Sequence, residues 1–260
     1  MSYWSNREEL MKRAKEQYEY MKTNYEDRTI ESVKSSVINN NVSDTVNLDR
    51  YPTYDTEISV EDIDSVSSVM KEAKPEKHVC VLNFASYKNP GGHFLGGSSA
   101  QEEALCHYSN LYNILVKFQE KYYDVNRRSL NNGLYTNKSI YTPNVVFKTD
   151  INQCVADVIT CAAPNKKVAK YRDVHDSVIY VAMRERIEHI LHTAVMKELD
   201  VLILGAFGCG VFANDPHDVA TIFKNLLENT YKGKFKKIVF AIPAGKNYDV
   251  FKEIFEEINW

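Results

Sequence analysis

What the chain lacks narrows the field before any motif is considered. Its five cysteines, Cys80, Cys106, Cys154, Cys161 and Cys209, are odd in number and scattered, with no C-x-x-C pair. That argues against a disulfide framework or a zinc site and for reduced thiols in a cytoplasmic compartment. No stretch approaches the roughly 18 consecutive apolar residues that a membrane-spanning helix needs. The opening MSYWSNREELMKRAKEQYEYMK has no apolar h-region, so no secretory signal is expected. A basic excess is also missing: 32 Lys and Arg stand against 35 Asp and Glu, for a net charge of −3. Proteins that grip a nucleic-acid backbone usually carry such an excess, so direct nucleic-acid binding is not expected. An anion would have to be held locally, by aimed backbone N–H groups.

The 260 residues, 44% hydrophobic and 26% charged, have the make-up of an ordinary globular chain long enough to bury a sizeable core. Four short apolar runs stand out: 79–85 (VCVLNFA), 155–163 (VADVITCAA), 201–207 (VLILGAF) and 238–242 (IVFAI). Each is apolar on both alternations, as suits central strands covered on both faces. Helical spacing is visible over 3–22 (Trp4, Met11, Ala14, Tyr18, Met21), 61–74, 101–118, 178–197, 216–229 and 248–258. Residues 23–60 read as edge strands and connections, with a β-like run at 32–38, and 119–150 as an irregular excursion. Strands alternating with helices predict a three-layer α/β/α domain.

Ligands of α/β sheets bind beyond the carboxyl ends of the strands. Two of the four runs lead straight into glycine-rich loops, 83–97 (NFASYKNPGGHFLGG) and 205–216 (GAFGCGVFANDP). Successive N–H groups in such turns can cradle phosphate oxygens, so two loops could hold a diphosphate without a lysine. Neither loop matches a P-loop or the dinucleotide fingerprint. Just after the first loop comes Ala100-Gln101-Glu102-Glu103. Ser99 as N-cap and Glu102 three residues on would make a capping box, and Glu103 in a first turn would complement the helix dipole. The functional reading places two carboxylates beside a bound sugar phosphate, the usual equipment for breaking a glycosidic bond.

The segments NFASYKNPGGHFLGGSSAQEEALC and ILGAFGCGVFANDP resemble the catalytic segment and second loop of microbial-type poly(ADP-ribose) glycohydrolases. VADVITCAAPN and YTPNVVFKTD resemble further segments of that family, and the matching patches run in order from about residue 58 to 245. The resemblance implies a macrodomain-like sandwich with a mixed central sheet and an N-terminal helical extension. It divides the chain into an accessory segment, 1–57, and a core, 58–260. It also implies release of ADP-ribose from poly(ADP-ribose) or ADP-ribosylated proteins, by a monomer that needs no cofactor or metal. Glu103 would be the catalytic acid and Glu102 would orient the ribose hydroxyls. Gly91, Gly92, Gly208, Cys209, Gly210 and Val211 would line the diphosphate. Phe212, Asn83 and Ser86 would lie around the ribose, Gln101 and His93 would also belong to the ADP-ribose site, and His93 stands where the family usually has a third glycine. That imidazole bears on polymer cleavage more than on ADP-ribose binding.

Two other functions compete on the same residues. One is a macrodomain that reads ADP-ribose without cleaving it, the other a different phosphoester or nucleotide hydrolase on the same scaffold, which metal-dependent turnover of a nucleotide would support. Cys209 as a nucleophile, His189 with His192 as metal ligands, and His175 with Asp173 and Asp176 as acid–base groups all have simpler structural readings. So does the cluster of lysines over 232–237.

Overall fold

The structure, a computed structural model, describes residues 7–40 and 47–256. Its strands are β1 (Val37–Asn40), β2 (Glu57–Glu61), β3 (Val79–Phe84), β4 (Lys138–Lys148), β5 (Gln153–Cys161), β6 (Val201–Leu204) and β7 (Lys237–Ala241). They form one sheet in the order β1-β4-β5-β3-β6-β7-β2. The β1–β4 and β4–β5 pairs are antiparallel and the rest parallel, so the sheet is mixed. The four apolar runs supply β5, β3, β6 and β7, four adjacent strands at the centre of the sheet.

The helices are α1 (Arg7–Asn24), α2 (Glu26–Ser35), α3 (Ser65–Glu72), α4 (Gln101–His107), α5 (Leu111–Leu115) and α6 (Asp124–Arg127). After β5 come α7 (Lys166–Tyr171), α8 (Asp176–Val195), α9 (Pro216–Glu228) and α10 (Lys246–Glu256). Strand side chains alternate between the two helical layers. Cys80 and Leu82 of β3 pack with Ile187, Phe223 and Phe251 from α8, α9 and α10. Val79 and Val81 pack with Ala14, Val69, Leu105 and Leu111 from α1, α3, α4 and α5. Helix starts are locally encoded. Asp64 caps α3 by accepting from the N–H groups of Val66 and Ser67, and Asp215 caps α9 just ahead of Pro216. In α1, Ala14 and Met21 are buried as the spacing required, and Trp4 lies outside the described residues. The last residues of the 248–258 helix, beyond Glu256, also lie outside them. Among the described residues no helix is long and apolar enough to cross a membrane.

Three expectations change. The 101–118 helix is broken after His107, because Ser109 and Asn110 compete with helical backbone bonding. Ser109 Oγ donates to Leu105 O at 2.7 Å and accepts from Leu111 N–H at 3.1 Å, while Asn110 Oδ1 accepts from Val146 N–H at 2.9 Å. The 119–150 excursion holds a π-turn (Gln119–Tyr123), α6 and the 11-residue strand β4. Pro143 and left-handed Asn144 (φ 58°) mask that strand, where the register shifts between Thr142 and Val145. The β-like run at 32–38 is helical through Ser35 and extended only from Val37, although β1 and β2 are edge strands as expected.

Candidate active site

Because β3 and β6 are parallel neighbours, their following loops leave the same edge of the sheet side by side. Phe84 at the end of β3 meets Phe207 of the second loop edge-on, ring centroids 5.7 Å apart. Farther out, Tyr87 of the first loop stacks on Tyr135 at 4.1 Å, and Phe212 of the second loop meets Tyr135 at 6.2 Å. Asn214 Nδ2 donates to Gly208 O at 3.0 Å and to Pro164 O at 2.8 Å, tying the second loop to the chain leaving β5. Tyr87, Tyr135 and Asn214 carried no assignment from the sequence. Only the placement of Tyr87 and Asn214 inside the two loops hinted at them.

Gln101 braces the site. Its Oε1 accepts from Phe84 N–H at 2.8 Å, and its Nε2 donates to Leu82 O at 2.8 Å and Ser65 Oγ at 3.0 Å. This fixes the first turn of α4 against the end of β3. The N-cap of α4 is Ala100 with no side-chain cap bond, so the capping box expected of Ser99 and Glu102 does not form. Glu102 turns toward the first loop instead. Its Oε2 accepts from Ser86 N–H at 2.7 Å and its Oε1 from Asn83 Nδ2 at 3.2 Å. Asn83 is fully buried and also reaches Thr160 Oγ1 at 3.3 Å. Glu103 Oε1 accepts from His93 N–H at 2.8 Å, and its Oε2 is buried with no hydrogen-bond partner.

The two carboxyls are 3% and 6% exposed, so water does little to stabilise their charges. Burial pushes Glu102 up to about 8; the Ser86 N–H opposes that rise and the neighbouring Glu103 adds to it. Gly92 lies against both. At its φ of 62° an added Cβ would stand 2.4 Å from Glu103 Oε1 and 3.0 Å from Glu102 Oε2. Only glycine lets the backbone approach the acid pair this closely. Gly91 is buried beside it. His93 takes φ −116° and ψ 37°, a conformation open to any residue, so this position does not require glycine. Its ring lies against Gly96, with Arg7 Nη2 3.4 Å from Nε2.

In the second loop Gly210 is exposed, with open space where a Cβ would point, and Val211 is 79% exposed. The Cys209 thiol is pushed up to about 12, by burial first and then by Asp215, and lies against Phe207 O at 3.7 Å. A thiol held protonated is a poor nucleophile. The other singled-out groups serve the scaffold. His189 bonds Ser139 Oγ at 2.9 Å and His192 bonds Tyr231 OH at 3.3 Å, both buried in α8. His175 caps α8 by accepting from Ser177 N–H at 3.2 Å, and Asp176 at the start of that helix pairs with Lys170. Asp173 sits in the turn before α8 with a left-handed φ of 56°. Lys237, from the basic cluster, pairs with buried Glu72 at 3.0 Å. Among the described residues no group of 3 or more His, Cys, Asp or Glu could hold a metal ion.

A mixed sheet between two helical layers, with two glycine loops leaving one sheet edge side by side and two buried carboxyls against the first of them, defines a macrodomain-like α/β protein. The family model for the microbial-type PARG catalytic domain matches residues 8–150, a span that includes α2 and all of α1 but Arg7. The chain belongs to this family, the microbial-type poly(ADP-ribose) glycohydrolases. The poly(ADP-ribose) glycohydrolase of Deinococcus radiodurans, solved with ADP-ribose, is 33% identical. That match covers 88% of this chain and 98% of that one, with a TM-score of 0.79. The enzyme from Thermomonospora curvata is 28% identical, covering 96% of this chain and 100% of that one, TM-score 0.86. The same enzyme bound to the inhibitor ADP-HPD gives a TM-score of 0.82 at 28% identity, covering 95% and 99%. No curated protein matches.

Proposed function

We propose that this chain hydrolyses the O-glycosidic bond between ribose units of poly(ADP-ribose), free or carried on ADP-ribosylated proteins, and releases ADP-ribose. The observation that carries the reading is the uncommitted Oε2 of Glu103, buried beside Gly92 with the other oxygen pinned by the His93 N–H. A fixed carboxyl oxygen with nothing else to bond is ready to deliver a proton to a ligand.

The diphosphate lies along Gly91–Gly92 and the turn from Gly208 to Val211, held by backbone N–H groups. Phe212 and Asn83 bound the terminal ribose, and Glu102, anchored by Ser86 and Asn83, accepts from its hydroxyls. Burial and the neighbouring Glu103 hold a proton on Glu102 near neutral pH. As the general acid, Glu103 gives a proton to the departing ribose oxygen as the C–O bond breaks, the bonding electrons leaving with the oxygen. An oxocarbenium-like ribose remains. The Glu103 carboxylate then takes a proton from water, whose oxygen bonds to the anomeric carbon, and the acid is restored. Cys209 contributes backbone, not a thiolate.

The test is incubation with purified poly(ADP-ribose) and chromatographic detection of free ADP-ribose. Steady release supports the reading. Tight binding of ADP-ribose with no product from polymer or from modified protein would make the chain a reader instead.

A further inference from the structure

The N-terminal helix reaches the catalytic loop. Arg7, in the first turn of α1, donates from Nε to Gly96 O at 3.0 Å, and its Nη2 lies 3.4 Å from His93 Nε2. The approach is tight. Gly97 has φ 76°, and a Cβ there would stand 2.5 Å from Arg7 O and 2.9 Å from Met11 Cγ. Helix α1 is anchored elsewhere, through buried Leu10, Ala14 and Met21, so Arg7 is an exposed arm on a fixed support. The residue it grips is the one whose backbone N–H holds Glu103 Oε1 at 2.8 Å. The position is also the one where the chain departs from the triple glycine, and only a side chain there can be gripped.

We propose that Arg7 is a positioning residue for the glycosidic cleavage: by holding Gly96 O and the His93 imidazole, it fixes the His93 N–H that aims Glu103. The proposal rests on the hydrolase reading. A glycine at 93 would leave the loop to its own turn bonds, such as Gly96 N–H to His93 O at 3.0 Å and Phe94 N–H to Gly91 O at 3.0 Å. In this chain the exposed His93 ring adds a handle and α1 supplies the hand. The guanidinium donates in both contacts, so the imidazole nitrogen facing it accepts.

The experiment compares wild type, Arg7→Ala, Arg7→Lys, His93→Gly and the Arg7→Ala/His93→Gly double variant. The readouts are turnover of poly(ADP-ribose), Tm, and amide hydrogen exchange over 91–97. Arg7→Ala is expected to lower kcat about fivefold to tenfold with KM nearly unchanged, and to speed exchange at His93. Arg7→Lys, which can still reach Gly96 O, should recover part of the loss. Adding Arg7→Ala to His93→Gly should cost clearly less than it does in wild type, since the handle is already gone. A kcat and an exchange rate in Arg7→Ala equal to wild type overturn the proposal, and so does a fall in Tm alone. A wild type that never releases ADP-ribose overturns the hydrolase reading instead, and the exchange data then still decide whether Arg7 clamps the loop.

Discussion

The backbone N–H of Ser86 donates to Oε2 of Glu102 at 2.7 Å, across the space between the first loop and α4. This bond and the Asn83 amide give Glu102 two donors, yet burial still pushes its acid up to about 8 from 4.5. A group whose folded value is raised contributes stability that is whole below the unfolded value and is lost as pH rises toward the folded one. Wild type should therefore lose stability relative to Glu102→Gln between pH 4.5 and about 8, and run parallel to it above. Each pH unit is about 1.4 kcal/mol for a fully coupled group, so the gap should reach a few kcal/mol. The glutamine can keep the Ser86 bond through its oxygen, and Asn83 Oδ1, buried with no partner, can take its amide N–H. Urea unfolding of both proteins from pH 4 to 9 measures the difference, and curves that stay parallel throughout would refute the assignment.

Glu103→Gln removes the transferable proton but keeps an oxygen for the His93 N–H. Turnover of poly(ADP-ribose) should fall roughly 10²–10⁴-fold, the usual worth of a placed general acid–base. Affinity for free ADP-ribose, measured by calorimetry, should stay close to wild type, because the proposed site holds ADP-ribose mainly through backbone amides of the loops. Turnover unchanged in this variant would remove Glu103 from the mechanism.

The centre of the fold was legible because β3, β5, β6 and β7 are buried on both faces and so read as unbroken apolar runs. The glycine loops were legible for a related reason: each begins where such a run stops. What escaped was set by a local kink and by side chains reaching across sequence. Strand β4 is hidden by the kink at Pro143–Asn144, and the break after α4 depends on Asn110 bonding Val146 and Thr29. Local pattern also gave Glu102 a capping role that the fold withholds, because Ser86 N–H and Asn83 offer its carboxyl nearer partners. The effect of His93 was not legible either, since it hangs on a negative φ and on Arg7, 86 positions away in sequence.

Cys209 sits in the turn proposed to hold the diphosphate, and its thiol is pushed up to about 12. At neutral pH almost none of it is thiolate, so Cys209→Ala should keep most of the turnover. Iodoacetamide should modify this site far more slowly than it modifies free cysteine at the same pH. Rapid alkylation with parallel loss of activity would show a reactive thiol that the geometry does not provide.

Two glycine-to-alanine changes separate structure from binding. At Gly92 the new methyl group would stand 2.4 Å from Glu103 Oε1 in a left-handed backbone, so it must displace the acid. The backbone strain alone is about 1–2 kcal/mol, and Gly92→Ala should lower both Tm and turnover. At Gly210 nothing lies within 4 Å of the added carbon and the residue is exposed, so the fold has no reason to object. If the amides of this turn face the diphosphate, Gly210→Ala leaves Tm at the wild-type value but weakens ADP-ribose binding, as the methyl group keeps the ligand away from the backbone. Thermal melts with and without ADP-ribose read both effects at once, because a ligand raises Tm only as far as it binds the folded state. An unchanged ligand-induced shift in Gly210→Ala would move the diphosphate away from this turn and leave the first loop to hold it alone.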